Sequence, residues 1–143
     1  MNIEEFRNYC LSLKGVTEKM PFRKATSDYD RNLLVFSIGG KWFCFVNIEA
    51  FDFCNLKSSP EASAELQAEF DAVRLGYHMN HRHWISVYFN HDMPDERILS
   101  LVTDAYRRVL TSLPKREQAK YNQLIRIEEK LGTAASYGYN KLK

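Results

Sequence analysis

Leu33-Leu34-Val35-Phe36-Ser37-Ile38-Gly39-Gly40-Lys41-Trp42-Phe43-Cys44-Phe45-Val46-Asn47-Ile48 is the stretch whose reading decides the fold. Two apolar runs separated by a two-residue Gly-Gly link predict a β-hairpin closed by a type I′ or II′ turn. In the second run Trp42, Cys44, Val46 and Ile48 share one face, and Lys41, Phe43, Phe45 and Asn47 share the other. Both faces are partly apolar. One is therefore expected to pack on helices and the other to be only partly wet.

Outward from the hairpin, the pattern alternates between helices and strands. Upstream, Asn2 followed by Glu5 has the form of a capping box, Ile3, Phe6, Cys10 and Leu13 recur at helical spacing, and Gly15 is a natural stop, so a helix is predicted over 3–13. Thr17 to Tyr29 is a mixed segment around Pro21, and the proline limits it to an edge strand or a loop. Downstream, Phe51 to Lys57 reads as the next antiparallel strand. Ser58-Ser59-Pro60-Glu61 opens a second helix with Ala62, Leu66 and Phe70 on its apolar side. Val73 and Leu75 form a short extended piece, and Trp84 to Phe89 alternates as a strand. Pro94-Asp95-Glu96 opens a third helix, whose Ile98, Leu101, Val102, Ala105, Val109 and Leu113 make a broad stripe that Pro114 ends. Helix, a block of antiparallel strands, helix, strand, helix is the order of an α+β fold, with helices on one face of a single sheet.

At 143 residues, with 45% apolar and 27% charged side chains, the chain is one globular domain with enough length for a core. No run approaches the ~20 apolar residues a membrane helix needs, so no membrane partner is expected. The start, Met1-Asn2-Ile3-Glu4-Glu5, is not that of a secretory signal, and a cytoplasmic location is expected. Cys10, Cys44 and Cys54 each lie in an apolar run and read as reduced, buried thiols. The net charge of +2 is uneven: residues 1–114 carry 13 basic and 15 acidic side chains, residues 115–143 carry 7 and 3. The basic excess thus belongs to a C-terminal extension. There Tyr121, Leu124, Ile127 and Leu131 predict a helix over 115–131, followed by a disordered end. Lys115, Arg116, Lys120, Arg126 and Lys130 would make that helix either a phosphate-following element or a solvated face.

The chemistry-bearing residues collect in Gly76-Tyr77-His78-Met79-Asn80-His81-Arg82-His83-Trp84, a polar turn that feeds a strand. Arginine forks onto phosphate, asparagine pairs a base edge, and aromatic rings stack. Tyr77, His78, Asn80, Arg82, His83 and Trp84 are therefore candidate nucleic-acid contacts, with Lys41, Trp42 and Lys57 added if the hairpin lies alongside. The competing reading is structural: His83 and Trp84 begin a buried strand, and His78 and Asn80 hold the turn through backbone hydrogen bonds. His78, His81 and His83 lack a carboxylate or cysteine to complete a metal site, so no metal is expected. No glycine elbow frames a serine, Ser86 lies inside a strand, and Gly39-Gly40 belongs to the hairpin and not to a phosphate loop. Neither catalytic residues nor a cofactor are expected, and nothing in the pattern specifies an oligomeric state.

Pro21-Phe22, Gly40-Lys41-Trp42-Phe43, Leu56-Lys57 with Pro60, and Gly76-Tyr77-His78-Met79-Asn80 with His83-Trp84 together resemble the MmcQ/YjbR family over roughly residues 2–114. The resemblance implies a CyaY-like (frataxin-like) fold and a cytosolic, non-enzymatic domain that binds DNA through a double wing, two β-hairpins flanking the contact surface. Two departures stand out. Arg23 occupies the place after Pro-Phe where the family commonly has glycine, and the chain runs about thirty residues past the family's usual end. The iron-binding reading that a frataxin-like fold invites finds only Glu4 and Glu5 on the first helix, too few for an acidic ridge. The alternative function is a small-molecule or protein-interaction module with a pocket beside the same turn.

Overall fold

In a computed structural model, which describes residues 1–122, the chain forms α1 (Ile3–Ser12), β1 (Thr17–Lys19), α2 (Asp28–Arg31), β2 (Leu33–Ile38), β3 (Lys41–Asn47), β4 (Phe53–Lys57), α3 (Pro60–Glu69), β5 (Val73–Leu75), β6 (Trp84–Tyr88) and α4 (Asp95–Ser112). Residues 115–122 are helical again. The strands make one six-stranded sheet in the order β1-β2-β3-β4-β6-β5, antiparallel at every pairing. The fold is α+β, as the element order predicts.

The helix starts follow their local chemistry. Asn2 Oδ1 accepts the Glu5 N–H at 2.8 Å while Glu5 Oε1 accepts the Asn2 N–H at 3.0 Å, a complete capping box. Ser59 Oγ accepts the Ala62 N–H at 3.2 Å with Pro60 in the first turn. Pro21 lies beyond the end of β1, an edge strand of only three residues, as proline requires. The short helix α2 carries no apolar period and was not foreseen. It is nucleated by Ser27, whose hydroxyl accepts the Asp30 N–H at 3.3 Å.

The core lies between one sheet face and α1, α3 and α4. Phe6, Phe36, Phe43, Val46, Leu56, Ile85, Ile98 and Val102 are all within 1% of full burial. Phe6 meets Phe36 and Phe89 edge-on at 6.4 and 5.5 Å, and each such buried side chain contributes about 1.5–3 kcal/mol. Cys10, Cys44 and Cys54, distant in sequence, all lie in this core as free thiols. Burial pushes the Cys44 and Cys54 thiols well up, so both stay protonated.

One sequence expectation fails inside β3. Strict alternation puts Trp42 with Cys44 and Val46, and Phe43 with Phe45. The register instead shifts between Phe36 and Ser37, a β-bulge that leaves Phe43 without a direct partner. Phe43 turns to the helix side and meets Tyr106 of α4 at 5.7 Å, while Trp42 joins Phe45 on the opposite face at 6.4 Å. That opposite face is itself a second apolar layer. Leu33, Val35, Phe45 and Trp84 are buried there beneath Phe22, Tyr29, Trp42, Tyr77 and Met79. Its cover comes from the 20–32 segment, including α2, and from the 76–83 turn, so helical structure is not confined to one side.

Candidate nucleic-acid interface

Strand order creates the site. β2–β3 is a hairpin with its tip at Gly39-Gly40, and β5–β6 is a second hairpin whose connection is the 76–83 turn. β4 lies between them, and its last residue, Lys57, is paired with Trp84. Two hairpin ends therefore flank Lys57 at one edge of the sheet, with Lys41 beside it on β3.

Lys41 is exposed and Lys57 half-buried, its ammonium 5.2 Å from the centre of the Trp84 ring. Burial, and then the charge of nearby Lys41, hold the Lys57 amine below the usual lysine range. Neither lysine forms an ion pair among the described residues. Lys19 adds a third cation, 5.8 Å from the centre of the Trp42 ring. At the other end of β4 the charge is reversed. There Asp52 accepts the Tyr29 hydroxyl at 2.8 Å, and Asp30 accepts the Tyr77 hydroxyl at 3.1 Å. The near-neutral domain charge is thus separated along this face, with cations at the hairpin ends and acids around Tyr29 and Phe53.

The turn residues divide into two groups. Tyr77 is a fastener: its N–H donates to Asn55 Oδ1 at 2.9 Å and Ser86 Oγ at 3.0 Å, and its ring meets Phe53 at 5.5 Å and Tyr29 at 5.4 Å. Burial and the bond to Asp30 push its hydroxyl pKa up. Trp84 is also structural, 4% exposed at the start of β6 and 5.7 Å from Phe45. Asn80 has a turn role, its Oδ1 accepting the Arg82 N–H at 2.8 Å, although the residue is exposed. His78, Arg82 and His83 are exposed, and His78 holds a left-handed backbone with φ +55° beside the Tyr77 ring. His83 serves the fold through its backbone, its carbonyl accepting the Ser58 N–H at 2.7 Å and its N–H donating to the Asn80 carbonyl at 3.1 Å. Trp42, half-buried, is held edge-on by Phe22 at 5.8 Å.

Lys41, Trp42, Lys57, His83 and Trp84 are accordingly gathered at one sheet edge, whereas the Tyr77 ring reaches toward the acidic end. The sequence reading missed Lys19 and the Asn55–Ser86 pair. Asn55 between Cys54 and Leu56, and Ser86 between Ile85 and Val87, are polar residues inside apolar strand runs, which was the available signal. Among the described residues, no three histidine, cysteine or acidic side chains are grouped to hold a metal ion. No helix among them is long and apolar enough to cross a membrane.

These features define a class: a small α+β domain with one antiparallel sheet whose second face carries an aromatic layer and a cationic edge. The chain belongs to the YjbR family, whose model matches residues 11–108. It is 33% identical over 108 residues to the uncharacterized protein YbdF of Escherichia coli O157:H7, covering 75% of this chain and 88% of that protein. It is 29% identical over 126 residues to the uncharacterized protein YjbR of Escherichia coli K12, covering 87% of this chain and all of YjbR. Among solved structures, the Deinococcus radiodurans protein DR2400, a DUF419 domain, superposes with a TM-score of 0.72 at 25% identity, over 85% of this chain and 88% of that one. A Pseudomonas syringae protein shares the fold with a TM-score of 0.58 at 24% identity, over 73% and 96% of the two chains.

Proposed function

We propose that this protein is a non-enzymatic, cytoplasmic nucleic-acid-binding module that grips duplex DNA at the hairpin-flanked edge of its sheet. The observation that carries the reading is the Lys41–Lys57 pair: Lys41 stands close enough to disfavour the charge of Lys57, and neither lysine has an acid paired with it among the described residues. A phosphate between them removes that repulsion. The two hairpins on either side suit the double-wing arrangement, with the β2–β3 tip and the 76–83 turn reaching past Lys57 on each flank. Exposed Arg82, His78 and His83 add donors on one wing, and Lys19 beside Trp42 adds a cation on the other. Tyr77 and Trp84 support the surface from beneath. Asn80 is the turn residue with an amide nitrogen left for a base edge.

The test is fluorescence anisotropy of a labelled DNA duplex with the full chain at low and moderate salt. Binding is expected to weaken log-linearly with salt, and the double variant K41Q/K57Q to reduce the slope by about two phosphates. Absence of binding at low salt, or an unchanged slope in the double variant, overturns the reading.

A further inference from the structure

A second candidate site lies on the helix side of the sheet, where α3 and α4 leave a cavity of about 150 Å³ between them. Its floor is Leu56 and Ile85, direct partners across β4 and β6, and Leu66 of α3 and Leu101 of α4 form apolar walls. Cavities near 150 Å³ hold a molecule the size of benzene, so a short branched hydrocarbon group fits this floor.

The polar lining is specific in its arrangement. Ser58 is 7% exposed, lines the cavity, and its hydroxyl makes no hydrogen bond among the described residues, although its N–H is bonded to His83. Arg108 lines the cavity with it, whereas the ammonium of neighbouring Lys57 lies over the Trp84 ring on the opposite face of the sheet. Asp104 lies one helical turn before Arg108, and the two would be expected to pair across ~6 Å of helix surface. Both instead line the cavity, and neither forms an ion pair among the described residues. Glu65 faces them from α3, also unpaired. Glu69 and Arg97, likewise of opposite sign, complete the charged rim.

Opposite charges that line one cavity without pairing to each other, over an apolar floor, suit a ligand that carries both charges on neighbouring atoms. A simple carboxylate would meet Asp104 and Glu65 as repulsion, and a simple amine would meet Arg108 in the same way. We infer that the α3–α4 cavity binds a free α-amino acid with a branched apolar side chain. Its carboxylate is received by Ser58 and Arg108, its ammonium by Asp104 and Glu65, and its side chain by Leu66 and Leu101 above the Leu56–Ile85 floor. The site is on the opposite side of the sheet from the aromatic layer and does not rest on the nucleic-acid reading.

The experiment is an NMR titration of the methyl-labelled full chain with L-valine and L-leucine, alongside isovalerate and isobutylamine, each of which carries one charge only. Saturable shifts at the Leu56, Leu66, Ile85 and Leu101 methyls with the amino acids are expected. Each single-charge analogue is expected to bind about tenfold or more weakly, because it leaves a charged partner unmatched. R108Q and D104N, both at exposed positions, are expected to weaken the amino acid by a similar factor, and R107Q on the outer side of the same helix to leave it unchanged. No saturable shift with either amino acid overturns the inference, as does isovalerate binding as tightly as L-valine or an R108Q chain binding like the parent.

Discussion

Ser86 donates its hydroxyl to Asn55 Oδ1 at 2.7 Å across β4 and β6, and the acceptor oxygens of both residues receive the Tyr77 N–H. Both side chains are at most 2% exposed. This pair anchors the 76–83 turn to the sheet and so positions one of the two wings. Asn55→Ala leaves the Ser86 hydroxyl and the Tyr77 N–H short of an acceptor, and is expected to cost about 1–3 kcal/mol. Urea denaturation gives the loss, and faster hydrogen exchange at the Tyr77 amide gives its location. Wild-type exchange at that amide in the variant would show the pair to be dispensable.

Gly76 enters the same turn with no room for a side chain. A Cβ there would sit 2.7 Å from Trp84 Cβ and 2.9 Å from the Trp84 carbonyl oxygen. Trp84 is locked between Phe45 and Lys57, so the strain is not relieved by a flexible neighbour. Gly76→Ala is therefore expected to destabilise by about 1–3 kcal/mol, read as a lower urea midpoint with an unchanged slope.

Asp92 ties the link between α3 and β5 to the loop that precedes α4. Its two oxygens accept the Asp71 N–H at 2.7 Å and the Ala72 N–H at 2.9 Å, and the first of these is the main cause of its lowered pKa. A carboxylate with a depressed folded pKa contributes stability that is complete above its unfolded value, near 3.8, and is lost as pH falls through the lower folded value. The stability gap between the parent and D92A should therefore be constant from neutral pH down to about 4 and close only in stronger acid. Paired thermal melts along that series check it, and a gap that persists in strong acid would contradict it.

Lys57 has the opposite linkage. Burial and Lys41 lower its folded pKa below 10.5, so its charged form is less comfortable folded than unfolded. That cost is complete at neutral pH, starts to shrink as pH reaches the folded pKa, and is gone above the unfolded value of 10.5. K57M is expected to be at least as stable as the parent at neutral pH, with an advantage that shrinks in alkali. The same variant is expected to bind DNA more weakly, so stability and binding move in opposite directions. A K57M chain that both loses stability at neutral pH and binds normally would contradict the assignment.

Ser37 sits opposite the β3 bulge with a buried hydroxyl that has no hydrogen-bond partner among the described residues. Ser37→Ala removes an unsatisfied polar group and almost no volume. It is expected to change stability by less than about 0.5 kcal/mol, or to raise it. A loss above about 1 kcal/mol in urea would mean that the hydroxyl supports the bulge.

Local signals carried most of the architecture. The Asn2 capping box, the Ser59-Pro60 helix start, the Gly39-Gly40 turn and the α4 stripe each depend on neighbours within a few positions, so they were legible one at a time. The side assignment of Trp42 and Phe43 was not, because a bulge shifts every later residue of the strand by one and is set by the pairing partner. The second half of the tail helix predicted over 115–131, and the disordered end, lie outside the described residues.

What the amino-acid order determined by itself is most of the elements and their α+β class, because helical and strand periods and caps are short-range physics. Only the tertiary structure decided that Phe22, Trp42, Tyr77 and Trp84 form one layer, that Tyr77 fastens the turn, and that Lys41 and Lys57 stand together with no acid paired to them among the described residues. Those relations arise from strand order and register, which bring residues 16 to 62 positions apart onto one face, and no local pattern encodes them.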